Sequence, residues 1–260
     1  MVQASSTTPE PTASPAPPRL SPVQCLRDEA LLRVRRHPWL FLPAIRLSHR
    51  LGRNRALILP DARTDLVVEG FFRSANHYVE TALRLAQHDD IRLACKSHAA
   101  AVVIHACRRG LPTLILVRDP RAVTLSNHLK HPRTTLAHTL RGYIDFHQRI
   151  LPHRQRFVVA TFEQVTHDLN PVIDQLNARF DLQLRRLPPP EETARLLAQR
   201  MGGDTLRRRP LQGAAVADLP TPEKDRAKEA ARARLEAPSL RPLLERAEAV
   251  HEQFLRETQE

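Results

Sequence analysis

"VVEGFFRSANHY" (Val67 to Tyr78) sends a buried-looking apolar run straight into the polar turn Arg73-Ser74-Ala75-Asn76-His77, where a helix should begin. A strand, a tight turn and a helix N-terminus together make an anion site, because the first helical amides have no partners inside the helix. The turn is too short and too poor in glycine for a Walker A loop. That loop needs glycines for a wide turn and a Lys-Ser/Thr pair for triphosphate and magnesium. What remains is a set of free amides, the Arg73 guanidinium and the Ser74 hydroxyl, suited to one phosphate without a metal. Taken alone, the stretch is equally compatible with Ser74 or Asn76 merely capping the helix.

Outward from this turn, apolar runs alternate with helical patterns: "LVVEG", helix Asn76 to Gln87, "IRLAC", helix Ala99 to Arg109, "TLILV", helix Pro120 to Lys130. A longer helix over Leu136 to Leu151, the strand "RFVVATF" and a helix over Gln164 to Phe180 follow. Continuous apolar strands separated by helices predict a parallel sheet covered on both faces, hence a three-layer α/β/α fold with at least four strands. After Asp181, "RRLPPPEETARLLAQRMGGDTLRRRP" predicts a proline-rich turn, a short helix and an arginine-rich loop. Thr221 to Glu257 predicts two helices, with a start at Thr221-Pro222 and a break at Pro238.

The chain has 260 residues, enough for one full core. The Ser/Thr/Pro/Ala-rich residues 1–22 are expected to be disordered, and residues 23–260 to form one domain with a core over 66–180 and a C-terminal helical cap over 190–260. The N-terminus lacks the basic start and apolar run of a secretory signal, and no apolar run approaches the roughly eighteen residues of a membrane span. Cys25, Cys95 and Cys107 are odd in number and lack zinc-site spacing, so they read as reduced thiols of a cytoplasmic protein, none a strong nucleophile.

A net charge of +12 draws in polyanions of any kind. Only Lys96, Lys130, Lys224 and Lys228 are lysines, so the excess is arginine. With few aromatics to stack bases and no reading module, nucleic acid is not the expected partner. Cys25 to Leu51 reads as two amphipathic helices around His37-Pro38, packed on the domain or, as a weaker alternative, touching a membrane surface through Trp39, Leu40 and Phe41. Nothing fixes the oligomeric state.

In a parallel α/β sheet, ligands bind beyond the carboxyl ends of the strands. Those ends carry Arg73 to His77, then Lys96, Ser97 and His98, then Arg118 and Asp119, then Phe162 and Glu163. In "VRDPRAVTLS", Arg118 ends a strand, Pro120 suits the first helical turn and Ser126 lies two turns along. Arg118 can grip a phosphate by its fork while Ser126 donates a hydroxyl. The bland alternative pairs Arg118 with a local acid and leaves Ser126 facing solvent. Glu80 and Glu163 are weaker candidates for a base. His128, His131, His138 and His147 lack the spacing and acid partner of a zinc helix, so no metal is expected.

"GFFRSANHY", "KSH" and "RDPRAVTLS", in that order, resemble the sulfotransferases that use 3′-phosphoadenosine 5′-phosphosulfate (PAPS), over roughly Leu66 to Phe180. The Arg-Ser-Ala-Asn form is similar to that of bacterial-type members. The resemblance implies a P-loop NTPase-like sulfotransferase topology and PAPS as donor, with no metal. Arg73 would stabilise the leaving 5′-phosphate, with Ser74 and the amides of Ala75, Asn76 and His77 completing the cradle, while Arg118 and Ser126 would hold the 3′-phosphate. Tyr78 takes the place of a tryptophan near the adenine, and the Arg207 to Arg209 loop, Arg208 at its centre, resembles a late basic segment that closes over the donor.

"KSH" resembles a Lys-Thr-His whose histidine removes the acceptor proton, making His98 the candidate base and Lys96 the stabiliser of charge on the sulfuryl group. An imidazole with an ordinary pKa near 6.5 suits that task. Alternatively, His98 only caps the next helix. The chain departs from the family pattern at Ala75, at His77 where threonine is usual, at Ala122 where aspartate is common and at Phe162 where tyrosine is common. His77 could donate to a phosphate oxygen, serve as the base, or block the site. The resemblance implies sulfuryl transfer to a hydroxyl or amine of an unidentified carbohydrate, lipid or small molecule. The alternatives are a noncatalytic nucleotide-binding or interaction module on a degenerate sulfotransferase fold, and a small-molecule kinase.

Overall fold

The four apolar runs fold as parallel strands, β1 (Leu66–Gly70), β2 (Leu93–Cys95), β3 (Thr113–Val117) and β4 (Val158–Thr161), in the spatial order β2-β1-β3-β4. In this computed structural model, residues 22–53, 57–208 and 222–256 are described, with only the backbone path given for 22–25, 27–28, 201–208 and 222–228. Residues 1–21 of the expected disordered lead-in lie outside the described residues.

Strand β1 is central, with Val68 paired to both Cys95 and Leu114. All five of its residues are buried, which is why it reads as a continuous run rather than an alternation. From β1 the chain turns to β2 on one side and then crosses to β3 on the other. The reversal opens a crevice at the carboxyl ends of β1 and β3, the place where open α/β sheets take ligands. The Arg73 turn and Arg118 both emerge there.

Among the described residues the helices are α1 (Pro22–Arg36), α2 (Pro38–Arg50), α3 (Asn76–Ala86), α4 (Ala100–Arg108), α5 (Pro120–Lys130), α6 (Leu136–Ile150), α7 (Phe162–His167), α8 (Asn170–Phe180), α9 (Pro190–Arg208), α10 (Pro222–Leu235) and α11 (Arg241–Arg256). Val79 and Leu83 of α3, Val172, Ile173 and Leu176 of α8 and Leu197 of α9 pack with Leu66, Val68, Leu114 and Leu116 on one face of the sheet. On the other face, Ile115, Val117 and Val159 pack with Val103 of α4, Leu140 and Tyr143 of α6 and Phe254 of α11. The result is the expected three-layer α/β/α arrangement. The C-terminal helices divide between the faces: α9 lies on α3, whereas α10 and α11 lie on α5 and α6.

Two stretches differ from the sequence reading. The helix expected over Gln164 to Phe180 is two helices, because Thr161 and Gln164 form a reciprocal capping box that starts α7 at Phe162, and Pro171 opens α8. The short helix expected after the prolines runs on through Gly202 and Gly203, so the backbone of Arg207 and Arg208 is the last turn of α9. The Arg208 side chain and all of Arg209 lie outside the described residues.

At the N-terminal end, Pro38 starts α2 directly after the break at His37, and Phe41 and Leu42 are buried against α4. Trp39, Leu47 and Leu51 stay exposed on the outer side. No helix among the described residues is long and apolar enough to cross a membrane.

Candidate functional site

The first loop leaves β1 through Gly70, whose Cα lies so close to the next strand that an added Cβ would sit 2.5 Å from the Leu116 carbonyl oxygen. Only glycine fits there. Asn76 ties the loop together by donating from Nδ2 to the Phe71 carbonyl at 3.0 Å. Arg73 and Ala75 both adopt left-handed backbone angles, φ 65° and 68°, at a non-glycine cost accepted most often where a turn must aim amides at something. Ala75 is the N-cap of α3 and no side chain caps that helix. Ser74 therefore does not cap it. Its Oγ is buried without a hydrogen-bond partner, and so is Oδ1 of Asn76. Buried polar atoms are nearly always paired, so these two stand out among the loop's polar groups.

The second motif locks onto this loop. Arg118 donates from Nη1 to the Arg73 carbonyl at 2.9 Å, and Arg73 donates from Nε to Ser126 Oγ at 2.9 Å. The Arg118 guanidinium stacks 3.8 Å over the Phe162 ring, and its Nε is buried with no partner. Burial lowers the Arg118 pKa, with Glu163 opposing, Arg73 adding and Asp119 opposing. Asp119 caps α5 by accepting from the Ala122 amide at 2.8 Å. Among the described residues no acid is hydrogen-bonded or ion-paired to Arg118, and Ser126 faces the first loop rather than solvent. Phe162, which lacks a tyrosine hydroxyl, holds the guanidinium plane instead.

The Lys96-Ser97-His98 turn is held from beneath by Glu69, a residue the sequence reading passed over. Its two carboxylate oxygens accept from the Ser97 and His98 amides, each at 2.9 Å, while Lys96 and His98 take left-handed φ of 70° and 48°. Burial raises the Glu69 carboxyl to about 7, against the opposing pull of the Ser97 and His98 hydrogen bonds and the Arg35 charge. The clue lay in "LVVEG" itself: an acid inside a strand covered on both faces must have partners.

His98 Nδ1 lies 2.9 Å from the Gly70 carbonyl oxygen. A carbonyl only accepts, so the proton sits on Nδ1 and Nε2 carries the lone pair. The ring packs on Phe72, with centroids 4.7 Å apart. Burial lowers the His98 pKa to about 4, with the Gly70 bond opposing and Arg35 adding. At neutral pH it is therefore an uncharged proton acceptor. It is not the helix cap, since the N-cap of α4 is Ala99.

Lys96 meets Glu80, its Nζ 3.0 Å from one carboxylate oxygen and 2.8 Å from the other. Burial alone would raise the Glu80 pKa, but the His77 and Lys96 hydrogen bonds and the Lys96 and Arg84 charges outweigh it and hold it at about 2. His77, half-exposed, lies with Nδ1 3.6 Å from the same carboxylate. Tyr78 packs at the margin of the apolar cluster around α3. Its hydroxyl is raised by burial and by Asp168. Burial raises the Cys95 thiol to about 12 and the Cys107 thiol to about 11, which leaves both inert.

Glu69→Gln tests the support beneath His98. The wild-type carboxyl, raised from 4.5 to about 7, contributes stability that is present below pH 4.5 and lost as pH rises through 7. The amide does not titrate and gives up one acceptor, at about 1 kcal/mol. Thermal melts from pH 5 to 8 are expected to show the difference between variant and wild type moving in the variant's favour as the pH rises, with the variant the more stable of the two by pH 8. A constant gap would remove the titration from Glu69.

A parallel sheet with its crevice at the strand reversal, where two loops bring two arginines and two hydroxyls together, defines a three-layer α/β protein with cations gathered at the carboxyl edge of its sheet. No protein-family model matches the chain, and no curated protein matches it. Among solved structures the chain is similar to mouse sulfotransferase SULT7A1 complexed with PAP, at a TM-score of 0.41 and 12% sequence identity, over 74% of this chain and 94% of that one. Similarity at that level decides nothing about chemistry. Among the described residues, no three His, Cys, Asp or Glu side chains are grouped as metal ligands would be.

Proposed function

We propose that the chain is a sulfotransferase that takes PAPS as donor and moves its sulfuryl group to an acceptor hydroxyl or amine. The observation that carries this reading is the junction of the two motifs: Arg118 bonded to the Arg73 carbonyl and Arg73 bonded to Ser126, around the unpartnered Ser74 Oγ and Arg118 Nε. Two fixed guanidiniums and two hydroxyls at one sheet edge suit a ligand with two phosphates. The order of "RSANH", "KSH" and "RDPRAVTLS" resembles the family that binds such a donor.

When bound, the donor supplies the activated sulfuryl group. Ser74 and the first amides of α3 would cradle the 5′-phosphate, and Arg73 would neutralise the charge that grows on it as the sulfur–oxygen bond breaks. Arg118 and Ser126 would hold the 3′-phosphate, Arg118 using the Nε that has no partner. His98 Nε2 would accept the proton from the acceptor hydroxyl as its oxygen bonds to sulfur. Lys96 would exchange Glu80 for the sulfuryl oxygens. Tyr78 and Arg208 are proposed donor contacts on the resemblance alone. The buried, unreactive thiols suit the proposed cytoplasmic location.

A titration with 3′-phosphoadenosine 5′-phosphate (PAP) tests the reading. Ligand that binds only the native state raises the melting temperature, and an excess of about 100 times the Kd contributes about 2.7 kcal/mol. A shift is expected with PAP and a much smaller one with adenosine 5′-phosphate. No shift with PAP sinks the proposal. The Lys96–Glu80 pair and the depressed His98 favour a second reading, a noncatalytic binding module. PAP binding with no sulfuryl transfer to any hydroxyl compound tried would select it.

A further inference from the structure

A cavity of about 270 Å³ opens between α1, α5 and α6, lined by Leu31, Leu32, Phe71, Phe72, Arg35 and His131 among others. A narrower extension shares Leu32, Arg35, Phe71, Phe72 and Gly142 with it and reaches His98. The two spaces are neighbours across the Arg35 and Phe72 side chains, and the narrower one borders the His98 ring. The volume of the larger suits a one-ring molecule. Its walls are apolar on the Leu31, Leu32, Phe71 and Phe72 side, so the occupant needs an apolar body.

The charge around it is one-sided. Arg35 borders both parts of the space, its guanidinium 5.3 Å from the Phe72 ring centroid, with no hydrogen-bond or ion-pair partner among the described residues. Burial lowers its pKa, with the Glu69 charge opposing. Asp145, the acid at the narrow end, is already paired with Arg36 at 2.8 Å and Arg149 at 3.5 Å. Glu69 spends both oxygens on the Ser97 and His98 amides. A partly desolvated guanidinium facing an apolar space, with the nearby acids engaged elsewhere, is a recognition element for an anion.

We propose that this cavity is the acceptor pocket and that the acceptor is a small hydroxyl compound with an apolar ring and an anionic group, which Arg35 binds. The proposal rests on the sulfuryl-transfer reading, and it adds the acceptor's charge and size. Phe72, whose ring neighbours both the Arg35 guanidinium and the His98 imidazole, would pack against the acceptor's ring.

The test uses the full chain and three phenols, 4-hydroxybenzoate, 4-hydroxyphenylacetate and 3-(4-hydroxyphenyl)propionate, each beside its neutral carboxamide. Affinities are measured by calorimetry with and without saturating PAP. At least one carboxylate is expected to bind about tenfold tighter than its carboxamide, a charge-assisted contact's share. Arg35→Gln is expected to abolish that preference, and Arg35→Lys, which keeps the charge and guards against a folding defect, to retain part of it. Equal affinity within every pair, no binding by any of the six, or a preference that survives in a folded Arg35→Gln protein overturns the proposal. The PAP arm separates the two readings: absent PAP binding with an Arg35-dependent carboxylate preference sinks only the donor assignment, and normal PAP binding without the preference sinks only the acceptor assignment.

Discussion

Arg118→Ala is expected to weaken PAP binding by about a hundredfold or more, the loss of two charge-assisted hydrogen bonds to one phosphate. The guanidinium is already built into place, stacked on Phe162 and bonded to the Arg73 carbonyl, so a ligand finds it with little entropy left to lose. Its buried Nε has no partner, which makes it the atom that gains most from a bound phosphate. Because most of the effect is assigned to the 3′-phosphate, adenosine 5′-phosphate should lose much less, only what the Arg118 bond to the Arg73 carbonyl contributes to the first loop. Arg118→Lys keeps the charge without the fork and should recover only part of the loss. Calorimetry with both nucleotides checks this, and a variant that binds PAP as wild type does would remove the 3′-phosphate from Arg118.

His98→Ala is expected to lower turnover by about a hundredfold to ten-thousandfold while leaving PAP affinity unchanged. The wild-type pH profile carries a second signature. Burial holds the imidazole near a pKa of about 4, so kcat/KM should stay flat with respect to this group from alkaline pH down to about 5 and fall only as the pH approaches 4. An ordinary histidine would give an acid limb near 6.5. A limb at 6.5, or a fully active variant, would move the base elsewhere. His77 is the alternative, since it lies half-exposed beside Glu80 at the mouth of the same crevice.

Much of the layer structure is legible in the sequence. "LVVEG", "TLILV" and "RFVVATF" are continuous apolar runs because their strands are covered on both faces, and each became a strand within a residue or two of its expected bounds. The split between α7 and α8 was harder to see. The apolar period continues across Asp168 and Leu169, and only the Thr161–Gln164 capping box and Pro171 mark the break. The extension of α9 through Gly202-Gly203 ran against propensity, because paired glycines are poor helix formers.

The candidate site divides in the same way. Arg73, Ser74, Arg118 and Ser126 could be singled out because each follows a strand or opens a helix, and residue type is visible at such positions. Arg35 could not, and for Glu69 the sequence showed only that a buried acid needs partners, not which. Arg35 is one of many arginines in a basic helix distant in sequence from the motifs, and it reaches the site only because α1 packs across α4 and α6. Glu69 reads as a blemish in a strand until the Ser97 and His98 amides are found on its oxygens.

The sequence by itself determined the alternation of strands and helices, the parallel sheet and the cations and hydroxyls at its carboxyl edge. Those follow from local period and from turn chemistry, which neighbouring residues fix. The tertiary structure alone decided that Arg73 bonds Ser126 across 53 positions, that Lys96 meets Glu80 rather than open space, and that His98 holds its proton on Nδ1 against Gly70. Each of these depends on the strand order β2-β1-β3-β4, which brings distant loops within hydrogen-bonding range and which no local pattern encodes.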